Sequence, residues 1–308
     1  MAEEKKQSAE KSAEKSQKKG LIWIIGFIIA VIAGVIWGFS DNNPKQTELK
    51  STELQVHYID VGQGDCIFIQ SDDDTMLIDC GEIGKQDIVK SYLDKQGITQ
   101  LDYVIATHPH SDHMGCMDKI VGYYDIGEII LPHIDESDMP TTKYFERFLT
   151  AVENKGYSIT EAEPDRTIKI GDAECKFIAP CSDDYSNANN YSVGIIMTNG
   201  DNSFIFTGDA EKLAEKEMID SGRLKDIDVY KAGHHGSDTS SSEEFLEIIK
   251  PDIAVISCGE GNSYGHPCDI TLENLSKYTD KIYRTDLSGT IVITSDGKEL
   301  KLTEEKSR

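Results

Sequence analysis

From residue 54 onward, short apolar runs alternate with polar turns, and run length separates expected strands from expected helices. Leu54-Gln55-Val56-His57-Tyr58-Ile59-Asp60 alternates with period two and predicts a first strand. Val61 to Asp65 reads as a turn into a second strand, Cys66 to Gln70. Asp72-Asp73-Asp74 turns into a third, Thr75 to Asp79, which Cys80-Gly81 stops. A helix is predicted over 87–96, then a strand over 101–106. Further strands are expected at 126–131, 167–170, 174–178, 192–198, 203–207, 229–232, 253–257, 290–294 and 299–303. Helices are expected at 141–155, 210–221, 242–250 and 270–278. Asn199-Gly200-Asp201-Asn202 joins 192–198 to 203–207 as a hairpin. No internal repeat and no Pro- or Ser-rich break appears after residue 52, so residues 53–308 read as one domain of mixed α/β (α+β) class. Two sheets packed face to face with helices outside is the expected layering.

The N-terminal part has a different pattern. Residues 1–19 are Lys, Glu, Ser, Ala and Gln without an apolar stripe and are expected to be a disordered tail. Residues 20–39 contain no charged residue, and at about 1.5 Å per residue such a helix spans a hydrocarbon core of roughly 30 Å. Lysines precede the span, and Trp23 and Trp37 lie near its ends. The expectation is one transmembrane helix in the cell membrane, with the N-terminus cytoplasmic and the globular domain extracellular. Residues 40–52 form a polar linker. A cleaved signal peptide is the alternative, although the apolar stretch exceeds the usual h-region.

Composition narrows the function classes. The formal net charge is −24, and the tail carries a small positive excess, so the remainder is more acidic still. Such a field repels polyanions and argues against a non-specific grip on long duplex DNA, which needs clustered Lys and Arg. Any nucleic-acid chemistry must rely on metal ions and a local cleft. The 7 cysteines form no CxxC pair and are read as free thiols, with Cys116 a packing residue.

Chemistry concentrates at strand ends. After the run 101–106 come Thr107-His108-Pro109-His110-Ser111-Asp112-His113, four metal-capable side chains at HxHxDH spacing. A tight loop leaving a strand would aim His108 and His110 one way and Asp112 and His113 another, so one loop serves two neighbouring ions. Phe204 to Phe206 is followed by Thr207-Gly208-Asp209; Asp209 is either a bridging carboxylate or simply the N-cap of the next helix. Tyr230-Lys231-Ala232-Gly233-His234-His235-Gly236-Ser237 repeats the plan of strand end, glycine and imidazoles. One of its histidines is expected to ligate metal and the other to act on the leaving group. Asn262-Ser263-Tyr264-Gly265-His266-Pro267 supplies one more histidine after a strand. His133 lacks a glycine-rich setting and reads as a surface or supporting residue.

HxHxDH, then TGD, then a later histidine resembles the metallo-β-lactamase superfamily. The segments DVGQGD (60–65), HPHSDH (108–113), TGD (207–209), KAGHHGSDTS (231–240) and NSYGHP (262–267), with Tyr283-Arg284-Thr285-Asp286, narrow it to the soluble domain of the ComEC competence-protein family. The similarity covers about residues 54–303. It implies a four-layer αββα sandwich. With a single span expected, the multi-span channel of that family is not expected from this chain by itself. Residue by residue, the resemblance places His108 and His110 on a first metal and Asp112 and His113 on a second. Asp209 would bridge them, and His235, or alternatively His266, would complete the second site. Where the wider superfamily has a third histidine the chain reads Asn187-Ala188-Asn189-Asn190-Tyr191-Ser192, and Asn190 is taken as the amide ligand there. An amide oxygen favours manganese or magnesium over zinc.

The expected function is metal-dependent hydrolysis with two divalent ions (zinc or manganese), a metal-activated water, Asp112 orienting or accepting its proton, and His234 or His266 protonating the leaving oxygen. The expected substrate is a phosphodiester of a nucleic acid, a nucleotide or a cell-wall polymer. The alternatives are a β-lactam or lactone hydrolase and a non-catalytic module in which metal is a structural staple.

Overall fold

The apolar runs reappear as strands, the central ones buried on both faces, in the computed structural model, which describes residues 53–135 and 139–306. The expected tail, membrane span and linker (1–52) lie outside the described residues. Among the described residues no helix is long and apolar enough to cross a membrane.

The first sheet has the strand order β15-β14-β1-β2-β3-β4-β5-β6, built from β1 (Leu54–Tyr58), β2 (Ile67–Ser71), β3 (Asp74–Ile78), β4 (Gln100–Ile105), β5 (Asp125–Leu131), β6 (Ile159–Glu161), β14 (Ile291–Ser295) and β15 (Leu300–Glu304). The second has the order β13-β12-β11-β10-β9-β8-β7, built from β7 (Thr167–Ile170), β8 (Ala173–Ala179), β9 (Gly194–Asn199), β10 (Asn202–Phe206), β11 (Val229–Lys231), β12 (Ile253–Ile256) and β13 (Ile282–Arg284). Alternation along each strand divides its side chains between two cores. In β2, Ile67 and Ile69 face the core between the sheets, and Phe68 faces the outer core. In β10, Phe204 and Phe206 face inward and Ile205 outward. The outer cores are closed by helices, which gives the expected four layers. α1 (Gln86–Lys95), α3 (Met117–Tyr123) and α4 (Lys143–Lys155) cover the first sheet through Val89, Leu93, Ile120, Phe145 and Phe148. α5 (Lys212–Asp220), α6 (Glu243–Ile249) and α7 (Asp269–Ser276) cover the second through Met218, Phe245, Ile249 and Leu275.

The two sheets follow one plan. β1, β2 and β3 pair antiparallel, and β3 to β6 then pair parallel. Likewise β7 to β10 pair antiparallel and β10 to β13 parallel. HxHxDH leaves the C-terminal end of parallel strand β4, TGD that of β10, and GHHG that of β11. Loops at these carboxyl ends are where open α/β sheets place ligands.

Several elements depart from expectation. HxHxDH is not loop throughout: Ser111–Met114 forms a single helical turn, α2, followed by α3. The helix expected at 210–221 begins at Lys212 with Glu211 as its N-cap, so Asp209 is free of a capping role. β6, β13 and α8 (Thr285–Ser288) were not expected, and they are only three or four residues long. All seven cysteines are free thiols, as read from sequence.

Candidate metal centre

Four side chains from three segments converge: Asp112 and His113 of α2, Asp209 after β10, and His235 after β11. One ligand atom of each lies within 4.8 Å of all the others. Asp209 Oδ2 is the hub, 3.2 Å from His113 Nε2, 3.6 Å from His235 Nε2, 3.5 Å from His234 Nε2 and 3.8 Å from His108 Nε2. His235 Nε2 also lies 3.3 Å from Asp112 Oδ2. The backbone is shaped for this. Gly208 sits at φ +51, and a Cβ there would lie 2.9 Å from Ser192 Oγ and from Thr107 Cβ, so the turn presenting Asp209 needs glycine. His234 and His235 both adopt left-handed backbone conformations, φ 49 and 55, which cost bulky residues about 1–2 kcal/mol each. Such strain persists where the surroundings over-determine it, commonly at functional sites.

The imidazoles are fixed from behind. Asp79, at the end of β3, accepts from His113 Nδ1 at 2.8 Å and is held by Thr107 N (2.8 Å) and Thr107 Oγ1 (2.7 Å). His235 Nδ1 lies 3.0 Å from the Ser257 carbonyl, with Asp65 Oδ1 alongside at 3.2 Å. Asp65 in turn pairs with the buried Lys231 ammonium at 2.8 Å. A carboxylate or carbonyl on one ring nitrogen aims the other at a metal. Gly64 makes the DVGQGD turn fit, because a Cβ there would lie 2.2 Å from the Asp112 carbonyl oxygen. Asp65, Asp79 and Lys231 had no assigned role from sequence alone. Their only local signal is position, with Asp79 closing an apolar strand and Asp65 closing DVGQGD.

Electrostatics show what the site favours. Burial opposes a proton on His235, yet the Asp209 and Asp65 carboxylates outweigh it and raise this histidine to about 10. Burial likewise opposes protonation of His113, and the carboxylates of Asp209, Asp79 and Asp112 lift it well above the usual range. Burial, reinforced by the charge on His113, keeps His108 neutral, and burial lowers His110. Asp209 Oδ1 is buried without a hydrogen-bond partner among the described residues. Two histidine Nε2 atoms 3.2 Å apart, those of His113 and His235, share this carboxylate-rich pocket. Imidazole and carboxylate donors around a buried demand for positive charge fit a divalent cation.

Of the remaining sequence-predicted residues, His110, His234 and His266 line a cleft of about 340 Å³ together with Asp112, Asp209 and His235, and Gln63, Tyr144, Asn189 and Tyr264 are among its other walls. His108 Nε2 lies 3.1 Å from His110 Nδ1. Of the two candidates for the second site, His235 joins the cluster. His266 stands one ring farther out, 6.5 Å from His235 between ring centres, with its Nδ1 buried and unpartnered among the described residues. His234 points Nε2 at Asp209 and bonds Thr239 Oγ1 through Nδ1 at 3.0 Å. Asn190 is not on the cleft wall: its Oδ1 accepts from Glu211 N at 3.1 Å. Its neighbour Asn189 lines the cleft instead. Asn189 Nδ2 donates to Glu211 Oε1 at 3.0 Å, and its buried Oδ1 has no hydrogen-bond partner among the described residues. His133 is half-buried, away from the cleft, and pairs with Glu161 at 3.0 Å, a surface role. Cys116 is buried in the outer core of the first sheet, as its packing role requires.

The metallo-beta-lactamase superfamily model matches residues 59–260. The chain is 32% identical over 260 residues to ComE operon protein 3 of Bacillus subtilis, covering 78% of this chain and 33% of that protein. It is 29% identical over 270 residues to Recombination protein 2 of Haemophilus influenzae, covering 85% and 31%. It thus spans about a third of the length of these curated relatives. Among solved structures, the metallo-beta-lactamase fold protein YhfI from Bacillus subtilis aligns with a TM-score of 0.51 at 13% identity, covering 75% of this chain and 95% of that one. CmlA, a diiron beta-hydroxylase from Streptomyces venezuelae, aligns at 0.52 and 14%, covering 83% and 55%. At such identities these two likenesses speak for the fold alone. Fold, motif match and donor cluster agree: the chain belongs to the metallo-β-lactamase superfamily and resembles the ComEC-type competence proteins.

Proposed function

We propose that this chain is a metal-dependent phosphodiesterase. The observation that carries the reading is the convergence of Asp112, His113, Asp209 and His235 within 4.8 Å, with both imidazoles oriented from behind. These four would hold one divalent ion. His108, His110 and Asp209, with the free amide oxygen of Asn189, would hold a second, and the oxygen donor favours manganese over zinc. Ions bound there supply Lewis acidity and lower the pKa of a water.

The chain's own residues do the rest. Burial works against ionisation of Asp112, but His113 and His235 hold its carboxyl well below the usual range. It therefore remains an anion and orients the attacking water as an acceptor. His234, steered by Thr239, places Nε2 on the cleft wall to pass a proton to the leaving oxygen. The relative named Recombination protein 2 supports a nucleic-acid source for the phosphodiester. We place the domain outside the cell, tethered by the apolar segment 20–39. A periplasmic-type phosphatase fused after residue 308 is expected to be active, and activity only of a cytoplasmic reporter would overturn that topology.

The reading is tested on the full chain, stripped of metal and reloaded with manganese or zinc. Cleavage of an aryl phosphodiester and of short single-stranded DNA is expected, with loss of both in His113→Ala and Asp209→Ala. A metal-loaded protein inert toward both substrates would refute it.

A further inference from the structure

We propose that Tyr264 is a stacking shelf for an unpaired nucleobase, so that the substrate is a nucleoside phosphodiester whose base is accessible rather than duplex DNA. This rests on the phosphodiesterase reading and adds the part of the substrate that is not the phosphate. Two tyrosines line the cleft. Tyr144 has its hydroxyl engaged, donating to the Pro109 carbonyl at 2.7 Å. Tyr264 is 66% exposed, and its hydroxyl makes no hydrogen bond among the described residues. Exposure alone is ordinary for a single residue, but this ring stands on the wall of the polar cleft, where a ligand's flat face can cover it.

The ring is held in place. Asn262 Oδ1 accepts from Tyr264 N at 3.1 Å and His266 N at 3.0 Å, while its Nδ2 donates to the Gly259 carbonyl at 3.0 Å. Tyr264 stacks on His266 with ring centres 5.7 Å apart and 25° between planes, and His266 stacks toward His235 at 28°. Three rings, each stacked on the next, thus run from the metal centre to the surface, and the outermost, Tyr264, is the exposed one. Bases stack on such a platform whatever their identity, but only when unstacked from their neighbours. The charge balance points the same way. A chain of net charge −24 gains little by gripping a phosphate backbone, and stacking does not depend on charge.

The test compares two diesters with the same leaving group, the p-nitrophenyl ester of thymidine monophosphate and methyl p-nitrophenyl phosphate, on the manganese-loaded full chain. The wild type is expected to prefer the thymidine ester in kcat/KM. Tyr264→Ala should cut that preference about tenfold, Tyr264→Phe should keep it, and Asn262→Ala, which frees the loop but leaves the ring, should reduce it. An unchanged preference in Tyr264→Ala overturns the shelf and leaves the hydrolase reading standing. If the wild type cuts neither ester, the hydrolase reading fails, and the shelf is judged by binding alone. An uncharged methylphosphonate-linked thymidine tetramer titrated into metal-free protein should bind the wild type and not Tyr264→Ala. Equal binding to both overturns the proposal.

Discussion

The Asp79 carboxylate, 2.8 Å from His113 Nδ1, is the contact that turns His113 Nε2 toward Asp209. It joins the end of β3 to the turn after β4, and it decides which nitrogen of a buried imidazole is free for a cation. Asp79→Asn keeps an oxygen for the Thr107 N–H but no longer imposes that tautomer. Manganese affinity should fall about 10–100-fold with the fold intact. Calorimetric titration with unchanged far-ultraviolet circular dichroism checks this.

Lys231 and Asp65 form a buried ion pair, both side chains nearly inaccessible to water. Removing one partner strands the other charge. Lys231→Met should cost roughly 3–5 kcal/mol in urea unfolding, and Lys231→Met with Asp65→Asn should recover part of that loss. Strictly additive effects would show that the two charges are not coupled.

Gly208→Ala places a methyl group 2.9 Å from Ser192 Oγ at a positive φ. The loss should exceed about 1 kcal/mol, and because the displaced turn carries Asp209, metal affinity should fall with it. Thermal melts with and without manganese separate the two effects.

His57 gives a pH dependence remote from the metal ligands. It lies on β1 with Nδ1 2.8 Å from the Tyr92 hydroxyl, and burial pulls it down to about 4. An unfolded histidine titrates near 6.5, so between those values the unfolded chain binds more protons than the native one. Stability from this group is full above pH 6.5 and declines as pH falls toward 4, by roughly 3 kcal/mol in all. The stability difference between wild type and His57→Gln should therefore change across that window and be flat above it.

Much of the site was legible because strand ends announce it. An apolar run followed at once by HxHxDH, TGD or GHHG places donors at the carboxyl ends of strands, and the structure brings those ends together. The orienting partners were not legible in this way. Asp79, Asp65 and Lys231 act across elements far apart in sequence, and no local pattern pairs them. Asn189 and Asn190 show a finer limit. They sit in the 3₁₀ turn Ala188–Tyr191, where successive side chains point about 120° apart, so adjacent amides face different surroundings and the motif alone does not choose between them. In the fold, the apolar runs found the long strands and the three-residue β11, which is buried throughout, but not β6 or β13, whose three residues are only partly buried or exposed and carry no apolar run. Nor do they reveal that β14 returns from the end of the chain to pair with β1.

The most direct test of the central claim is equilibrium titration of the metal-free full chain with manganese, followed by electron paramagnetic resonance, for wild type, His113→Ala and Asp209→Ala. The convergence of donors predicts saturable binding in the wild type, weakened at least about tenfold by either substitution. Wild-type affinity retained in both variants would contradict a metal centre built on Asp112, His113, Asp209 and His235.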